Sequence, residues 1–396
     1  MEEEEEPDLT PELITELSKK SLEEAYKIGE QIAYILSVIA DIRRVIEDTE
    51  SPAKIVRLDP KRTPDIKGIY AIDSSFRTPL PLVYGDLFVV VGGYIRYPRA
   101  RGVDLRINRG MRIAVKCGEE ITGRIQTAIS KIVERKIACE ILKDPSFETK
   151  PWEILMFDGP IIPLWPIVVV TTRFYTQEEK LLEISGQVAE FCEEKKKTVI
   201  GIVKRVRSHF IGRGLIKILE KEGEIMLDDN TRRALERTSD KALATLILQP
   251  GEALLIGHLG SSPIIDRTLV TENRRETFLS FLNENPWTKD VFVGFIKPYR
   301  SRHVVRFEIA DYSGIGLENI LSWLNANSSH TACPYPIDLV DRLTNMTNSM
   351  YELIRKIIIR GATRKLSEFT KADRLGEIDL LLELADLQKK YVPNMG

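Results

Sequence analysis

Gly68-Ile69-Tyr70-Ala71-Ile72-Asp73-Ser74-Ser75 is a short apolar run that closes on a carboxylate and two hydroxyls. It has a counterpart at Ile154-Leu155-Met156-Phe157-Asp158-Gly159-Pro160. Both runs are too short for an ordinary helix, and both end in turn-forming residues. They read as buried strands. A carboxylate at the end of such a strand is costly to desolvate unless a cation or hydrogen-bond donors meet it. Two of them converging make a natural site for a divalent metal, which prefers hard oxygen ligands.

Working outward, Asp86 to Tyr94 and Asp104 to Lys116 read as two further strands after the first. Glu119 to Leu142 reads as an amphipathic helix with Ile121, Ile125, Ile129 and Ile132 along one side. Beyond Asp158 the expected elements are helix Gln177–Lys195, strand Thr198–Lys204, helix Arg232–Leu246 and strands Glu252–His258, Val291–Ile296 and Val304–Ile309. Helices Gly316–Ala326, Ile337–Arg360 and Leu366–Lys389 close the chain. Upstream, Thr10-Pro11-Glu12 opens a helical arm that runs to Glu47 and could pack on the body or on another subunit. Ser51 to Lys67, with Pro52, Pro60 and Pro64, reads as a connector. Strands first, then strand–helix alternation, predict an α/β sheet with helices on both sides.

The 396 residues are 43% hydrophobic and 29% charged, which excludes a disordered chain. A formal net charge of −2 excludes a histone-like polycation but not a nucleic-acid binder, because local patches decide that. Such patches occur at Arg96 to Lys116, at Lys195-Lys196-Lys197 with Lys204-Arg205-Val206-Arg207, and at Arg355, Lys356, Arg360, Arg364 and Lys365. Each can grip phosphates or can be a solvated face. The longest apolar stretches, such as Ile161 to Val170, fall short of the roughly 20 residues a bilayer requires, so no membrane contact is expected. Met1 is followed by Glu2 to Glu6, unlike a basic leader. The four cysteines are far apart and form no CxxC pair, which disfavours a zinc ribbon and points to the reducing cytoplasm.

The helix between the two strand ends supplies a third acidic candidate. Glu134 lies one turn before Ala138 and borders the buried side; the competing readings are a surface Glu paired with Lys131, or Glu140 in its place. A fourth candidate is Asp341, in Cys333-Pro334-Tyr335-Pro336-Ile337-Asp338-Leu339-Val340-Asp341. The prolines set an extended entry into a helix, and by physics alone Asp338 and Asp341 merely complement its N-terminus.

These pieces, in this order and spacing, resemble the NurA family of archaeal and bacterial DNA nucleases. The resemblance runs from about Gly68 to Met346. It rests on Ala71-Ile72-Asp73-Ser74-Ser75, Val133-Glu134, Phe157-Asp158-Gly159-Pro160, Ile200 to Lys204, Ser239-Asp240-Lys241, Val305-Arg306-Phe307-Glu308, and Pro334-Tyr335-Pro336 with Asp341. Ser74 stands in place of a glycine, Pro160 in place of a serine, and Cys333 where an aromatic is expected. The resemblance implies an RNase H-like core over 68–346, after an acidic N-terminus, arm and linker over 1–67 and before a C-terminal helical extension over 347–396. It implies a homodimeric ring and DNA cleavage by Mn²⁺ or Mg²⁺, two ions per site, held by Asp73, Glu134, Asp158 and Asp341. Lys204 and Arg306 would contact substrate. Such a nuclease acts 5′–3′ on DNA ends and inside single strands, and works with the hexameric translocase HerA in resecting double-strand breaks. This chain has no GxxxxGK[ST] run and so cannot supply the ATPase itself. The rival expectations are an inactive DNA clamp that regulates the translocase, and an assembly scaffold built on the terminal helices.

Overall fold

A computed structural model describes residues 10–369, apart from 48–50, 60, 63–65, 67, 78–79, 83–84, 98–108, 119–122, 145–152, 163–175, 207, 210, 215, 218–226 and 269–271. The acidic start, the second expected helix of the C-terminal region beyond Phe369, and Arg99, Arg101 and Arg106 lie outside the described residues.

The strands are β1 (Lys54–Arg57), β2 (Gly68–Phe76), β3 (Leu80–Leu82), β4 (Gly85–Tyr97), β5 (Arg109–Gly118), β6 (Glu153–Asp158), β7 (Thr198–Val203), β8 (Glu252–His258), β9 (Phe292–Lys297) and β10 (Val305–Asp311). Among the described residues they form one ten-stranded sheet in the order β1-β8-β9-β10-β7-β6-β2-β4-β3, with β5 also on β4. Strands β2, β6 and β7 are mutually parallel, and β4 and β5 run antiparallel beside β2. The order β5-β4-β2-β6-β7 is that of an RNase H-like mixed sheet, as the resemblance implies. Strands β10, β9, β8 and β1 extend it antiparallel beyond β7, and β3 pairs antiparallel with β4.

The helices are α1 (Pro11–Glu47), α2 (Gly123–Lys143), α3 (Thr176–Glu194), α4 (Asp229–Arg237), α5 (Asp240–Ile247), α6 (Pro263–Thr268), α7 (Glu272–Glu284), α8 (Leu317–Ala326), α9 (Tyr335–Thr344) and α10 (Asn348–Phe369). One face of the sheet packs on α1 to α7 around residues such as Tyr70, Ile72, Leu155, Phe157 and Val199. The other face packs on α8 and α9 around Ile69, Ala71, Ile154, Met156, Ile200 and Ile202. Strand alternation sends successive side chains to opposite faces, so the apolar runs are buried on both sides. Two buried layers explain why these strands read as continuous apolar stretches and not as alternating ones.

Three expectations need correction. The stretch Ser51 to Lys67 contains β1, an edge strand paired to β8 through Lys54 opposite Leu255. Its prolines flank the four-residue pairing and leave it intact. The expected helix Arg232–Leu246 is two helices, because Ser239 caps the second by accepting a hydrogen bond from the Ala242 amide. The expected helix Ile337–Arg360 is also two, divided at Asn345-Met346-Thr347. There Met346 accepts hydrogen bonds through its carbonyl from Arg77 at 2.7 and 2.9 Å, and its amide donates to Ser75 Oγ at 3.1 Å. A tertiary clamp onto β2 replaces the intrahelical bonds that propensity alone would favour.

Along α1, residues from Ile35 onward enter the core, whereas Ile14, Leu17, Leu22, Tyr26, Ile28 and Ile32 are exposed. No helix among the described residues is long and apolar enough to cross a membrane.

Candidate metal centre

The parallel pairing decides the site. Ile72 on β2 stands opposite Phe157 on β6, and one residue further each strand carries its aspartate. Asp158 in turn stands opposite Ile202 on β7, two residues before Lys204. By alternation Asp73, Asp158 and Lys204 all project on the α9 face, the face of Ile69, Ala71, Met156 and Ile202. Helix α9 lies over these strand ends and brings Asp341. One carboxylate oxygen from each of Asp73, Asp158 and Asp341 lies within 4.8 Å of the others. Residues separated by hundreds of positions in sequence therefore share one small volume at the carboxyl ends of the central strands.

Burial grades the three. Asp73 is 5% exposed, Asp158 is half-buried, and the Asp341 side chain is 54% exposed. Thr344 Oγ1 donates to Asp73 Oδ2 at 2.8 Å and fixes its rotamer. Ser75 Oγ donates to the Thr344 carbonyl, which ties the last turn of α9 to β2. The Lys204 ammonium lies 2.6 Å from Asp158 Oδ2 and 3.2 Å from Asp341 Oδ2. Burial alone would lower the Lys204 ammonium, but the Asp158 carboxylate outweighs it and the net direction is upward. Burial raises Asp158, with Lys204 opposing.

Glu134 approaches from the opposite side of the sheet on α2. Gly92, paired with Ser74, permits this approach, since a Cβ there would stand 2.5 Å from Val133 Cγ1. Glu134 is fully buried, unlike Glu140, which is exposed. Its Oε1 accepts from Ser74 Oγ at 2.7 Å and from Lys131 Nζ at 2.7 Å. The pairing with Lys131 is thus real but buried, not the surface pair that was the rival reading. Lys131 Nζ also donates to the Asp158 carbonyl at 2.6 Å. A Cβ at Gly159, where φ is +132°, would come within 2.9 Å of that same ammonium. Glu134 is not among the carboxylates within 4.8 Å of one another.

Arg306 was expected to contact substrate, and the structure places it elsewhere. It is 4% exposed and ion-paired to Glu308 at 2.7 Å. Glu308 Oε2 accepts from the Ile161 and Ile162 amides at 2.7 and 3.2 Å. Arg306 therefore braces the turn after Asp158. A buried guanidinium needs an anionic partner, and the carboxylate two residues along the same strand face supplies it.

The donor set fits a divalent cation on two observations. Glu134 Oε2 is buried and has no hydrogen-bond partner, although Arg135 Nη1 stands 3.6 Å away. Burial, then Glu134, then Asp158 push the Asp73 carboxyl up to about 7. A cluster that must hold a proton near neutrality is one that a dication relieves. The sign of the resulting pH dependence follows. A free Asp titrates near about 3.9, so between about pH 4 and pH 7 the folded state binds a proton that the unfolded state has lost. The stability due to this group is present below that window and lost as pH rises through it. Without metal, the melting temperature of Asp73→Asn minus that of the native chain should therefore grow as pH rises from about 5 to about 8. Thermal melts in chelator measure it, and a difference that shrinks with pH contradicts the assignment.

Thr344 and Arg77 escaped the sequence reading of the site, and Ser75 and Lys131 entered it without the roles they have here. Thr344 and Ser75 carried one available signal, hydroxyls next to expected ligands, but their partners lie about 270 residues away in sequence and no spacing announces them.

Residues 67–346 match the NurA domain family. No curated protein matches the chain. Among solved structures, the NurA nuclease from Sulfolobus solfataricus is 12% identical, with 89% of this chain and 99% of that one covered and a TM-score of 0.48. A NurA crystal structure with manganese is 11% identical, covering 84% and 96%, at 0.44. Endonuclease V of Ciona intestinalis, in complex with a 24mer DNA containing an inosine followed by a ribo-adenosine, is 13% identical, covering 83% and 99%, at 0.33. The family match takes in well over half of the chain and runs from the start of β2 past the end of α9, the segment that contains all three clustered aspartates; the chain belongs to the NurA domain family.

Proposed function

We propose that this chain is a metal-dependent deoxyribonuclease that hydrolyses DNA phosphodiester bonds. The observation that supports this reading most is the meeting of Asp73, Asp158 and Asp341 at the ends of two parallel strands and an overlying helix. Asp73, Asp158 and Asp341 would hold Mn²⁺ or Mg²⁺, and Glu134 would hold a second ion with Asp73 through its Oε2, which accepts no hydrogen bond. Bound there, the metal supplies Lewis-acid polarisation of a phosphate oxygen and a water of lowered pKa.

The chain's own residues do the rest. Thr344 and the Ser75 clamp keep Asp73 and Asp341 facing each other. Lys131 holds the Asp158 backbone in place from the other face. Lys204, at the mouth, offers an ammonium to a non-bridging phosphate oxygen and offsets charge as the phosphate becomes pentacoordinate. The half-exposed Asp341 marks the side from which a strand enters.

The finer reading rests on the family. In it the protein is a cytoplasmic homodimer that acts 5′–3′ on ends and within single strands, and a HerA-type hexameric ATPase feeds it double-strand-break ends for resection. Labelled single-stranded DNA tests the chemistry. EDTA should stop cleavage, and Mn²⁺ added in excess should restore it. Undiminished cleavage in EDTA would contradict the reading. One observation favours the rival, an inactive clamp: Ser74, in place of the family's glycine, occupies Glu134 Oε1. A clamp retards the same DNA without shortening it.

A further inference from the structure

The carboxylates already have a cation among them. Lys204 Nζ touches Asp158 at 2.6 Å and Asp341 at 3.2 Å, two of the three groups that a metal would use. A divalent ion bonded to the same oxygens would sit about 2.1 Å from each. An ammonium on the same side of those oxygens would then be nearly in contact with that ion, and like charges at such separation repel strongly. A metal that takes the Asp158 and Asp341 lone pairs now facing Lys204 competes with the ammonium for them.

We propose that Lys204 is the resident counter-ion of the metal-free centre and is displaced from Asp158 and Asp341 when a divalent ion binds, leaving its ammonium free for a phosphate. The inference rests on the metal-binding reading above. The structure shows how the exchange is built. The Lys204 side chain is 30% exposed and follows directly on the last residue of β7. Its backbone is anchored, because Lys241 Nζ donates to the Lys204 carbonyl at 2.8 Å. A pinned backbone and a four-carbon stem allow the head to swing without loss of the strand. Lys131 differs. Its side chain is 17% exposed and is held at both Glu134 and the Asp158 carbonyl, so it has no such freedom.

Two consequences follow. The metal must break two ion pairs to enter, so Lys204 weakens metal affinity. The displaced ammonium regains an anionic partner only when phosphate arrives, so metal and nucleic acid should bind with positive cooperativity.

The test is Mn²⁺ affinity of the full chain by calorimetry, without DNA, for the native protein, Lys204→Met and Lys204→Gln. Titrations in about 1 M KCl, where the Debye length is about 3 Å, remove long-range effects of the lost charge. Both variants should bind Mn²⁺ about tenfold more tightly than the native chain. Affinities within about twofold for both variants would overturn the displacement while leaving the metal centre standing. Absence of Mn²⁺ binding in all three proteins would overturn the metal reading and the displacement with it.

Discussion

Asp73→Asn is expected to abolish DNA cleavage, by about a thousandfold or more, while the fold survives. The side chain is buried, has an oxygen within 4.8 Å of one from each of the other two aspartates and accepts from Thr344 Oγ1. Asparagine keeps the shape and keeps an oxygen for Thr344, so the Thr344 contact to β2 persists. What it loses is the negative charge that would fix a shared cation. Removing one preorganised electrostatic partner in an active site typically costs about 10²–10³ in rate. A ligand set within 4.8 Å of both neighbouring carboxylates stands at or beyond the top of that range. The variant should melt no lower than the native chain near neutral pH, because neutralising a carboxyl crowded by burial, Glu134 and Asp158 removes a repulsion. Circular dichroism and a single-turnover assay in Mn²⁺ decide it. Cleavage within tenfold of the native rate would contradict the role.

The largest effect on stability is expected on the other face of the sheet. Arg135 is buried to 1% exposure, with its guanidinium 3.7 Å from the Phe157 ring centroid. Its Nη2 donates to the Pro160 carbonyl at 2.7 Å, and Nη1 faces Glu134 at 3.6 Å. Arg135→Ala leaves Glu134 with less compensating charge, empties the space over Phe157 and frees the turn that follows Asp158. Breaking a buried ion pair from one side costs about 3–5 kcal/mol. In a protein of this size that is a fall in melting temperature of about 4–6 °C. Thermal melts measure it, and a change under about 2 °C would show that Arg135 is dispensable.

The contrast between these two residues shows what the sequence could disclose. The strand ends were legible because Ile69 to Ile72 and Ile154 to Phe157 are apolar on both faces; either aspartate alone reads as readily as a turn or cap, and only the two together point to a site. The α/β class followed from strands giving way to strand–helix alternation, whereas the RNase H-like arrangement near β2 was implied only by the family resemblance. Helical period put Glu134 at the border of the buried side with Ala138 but left Glu140 open, and the structure buries Glu134 and exposes Glu140. Its fixation by Ser74 and Lys131 was not separable, because the α2 approach depends on Gly92, a residue with no side chain to betray a contact. Arg306 entered only through the family resemblance, and the register of β10 against β7 with its ion pair to Glu308 places it in the core. The division between α9 and α10 was hidden likewise. Asn345-Met346-Thr347 has no proline or glycine, and the break is made by Ser75 on β2 and Arg77 just past its end.

The central claim is that Asp73, Asp158 and Asp341 grip one cation in common. A crystal of the full chain soaked in Mn²⁺ and measured at the manganese absorption edge tests it most directly. The account predicts an anomalous peak within about 2.0–2.6 Å of carboxylate oxygens from all three residues. A peak bound elsewhere, or none at this centre in protein that still cleaves DNA, would contradict it.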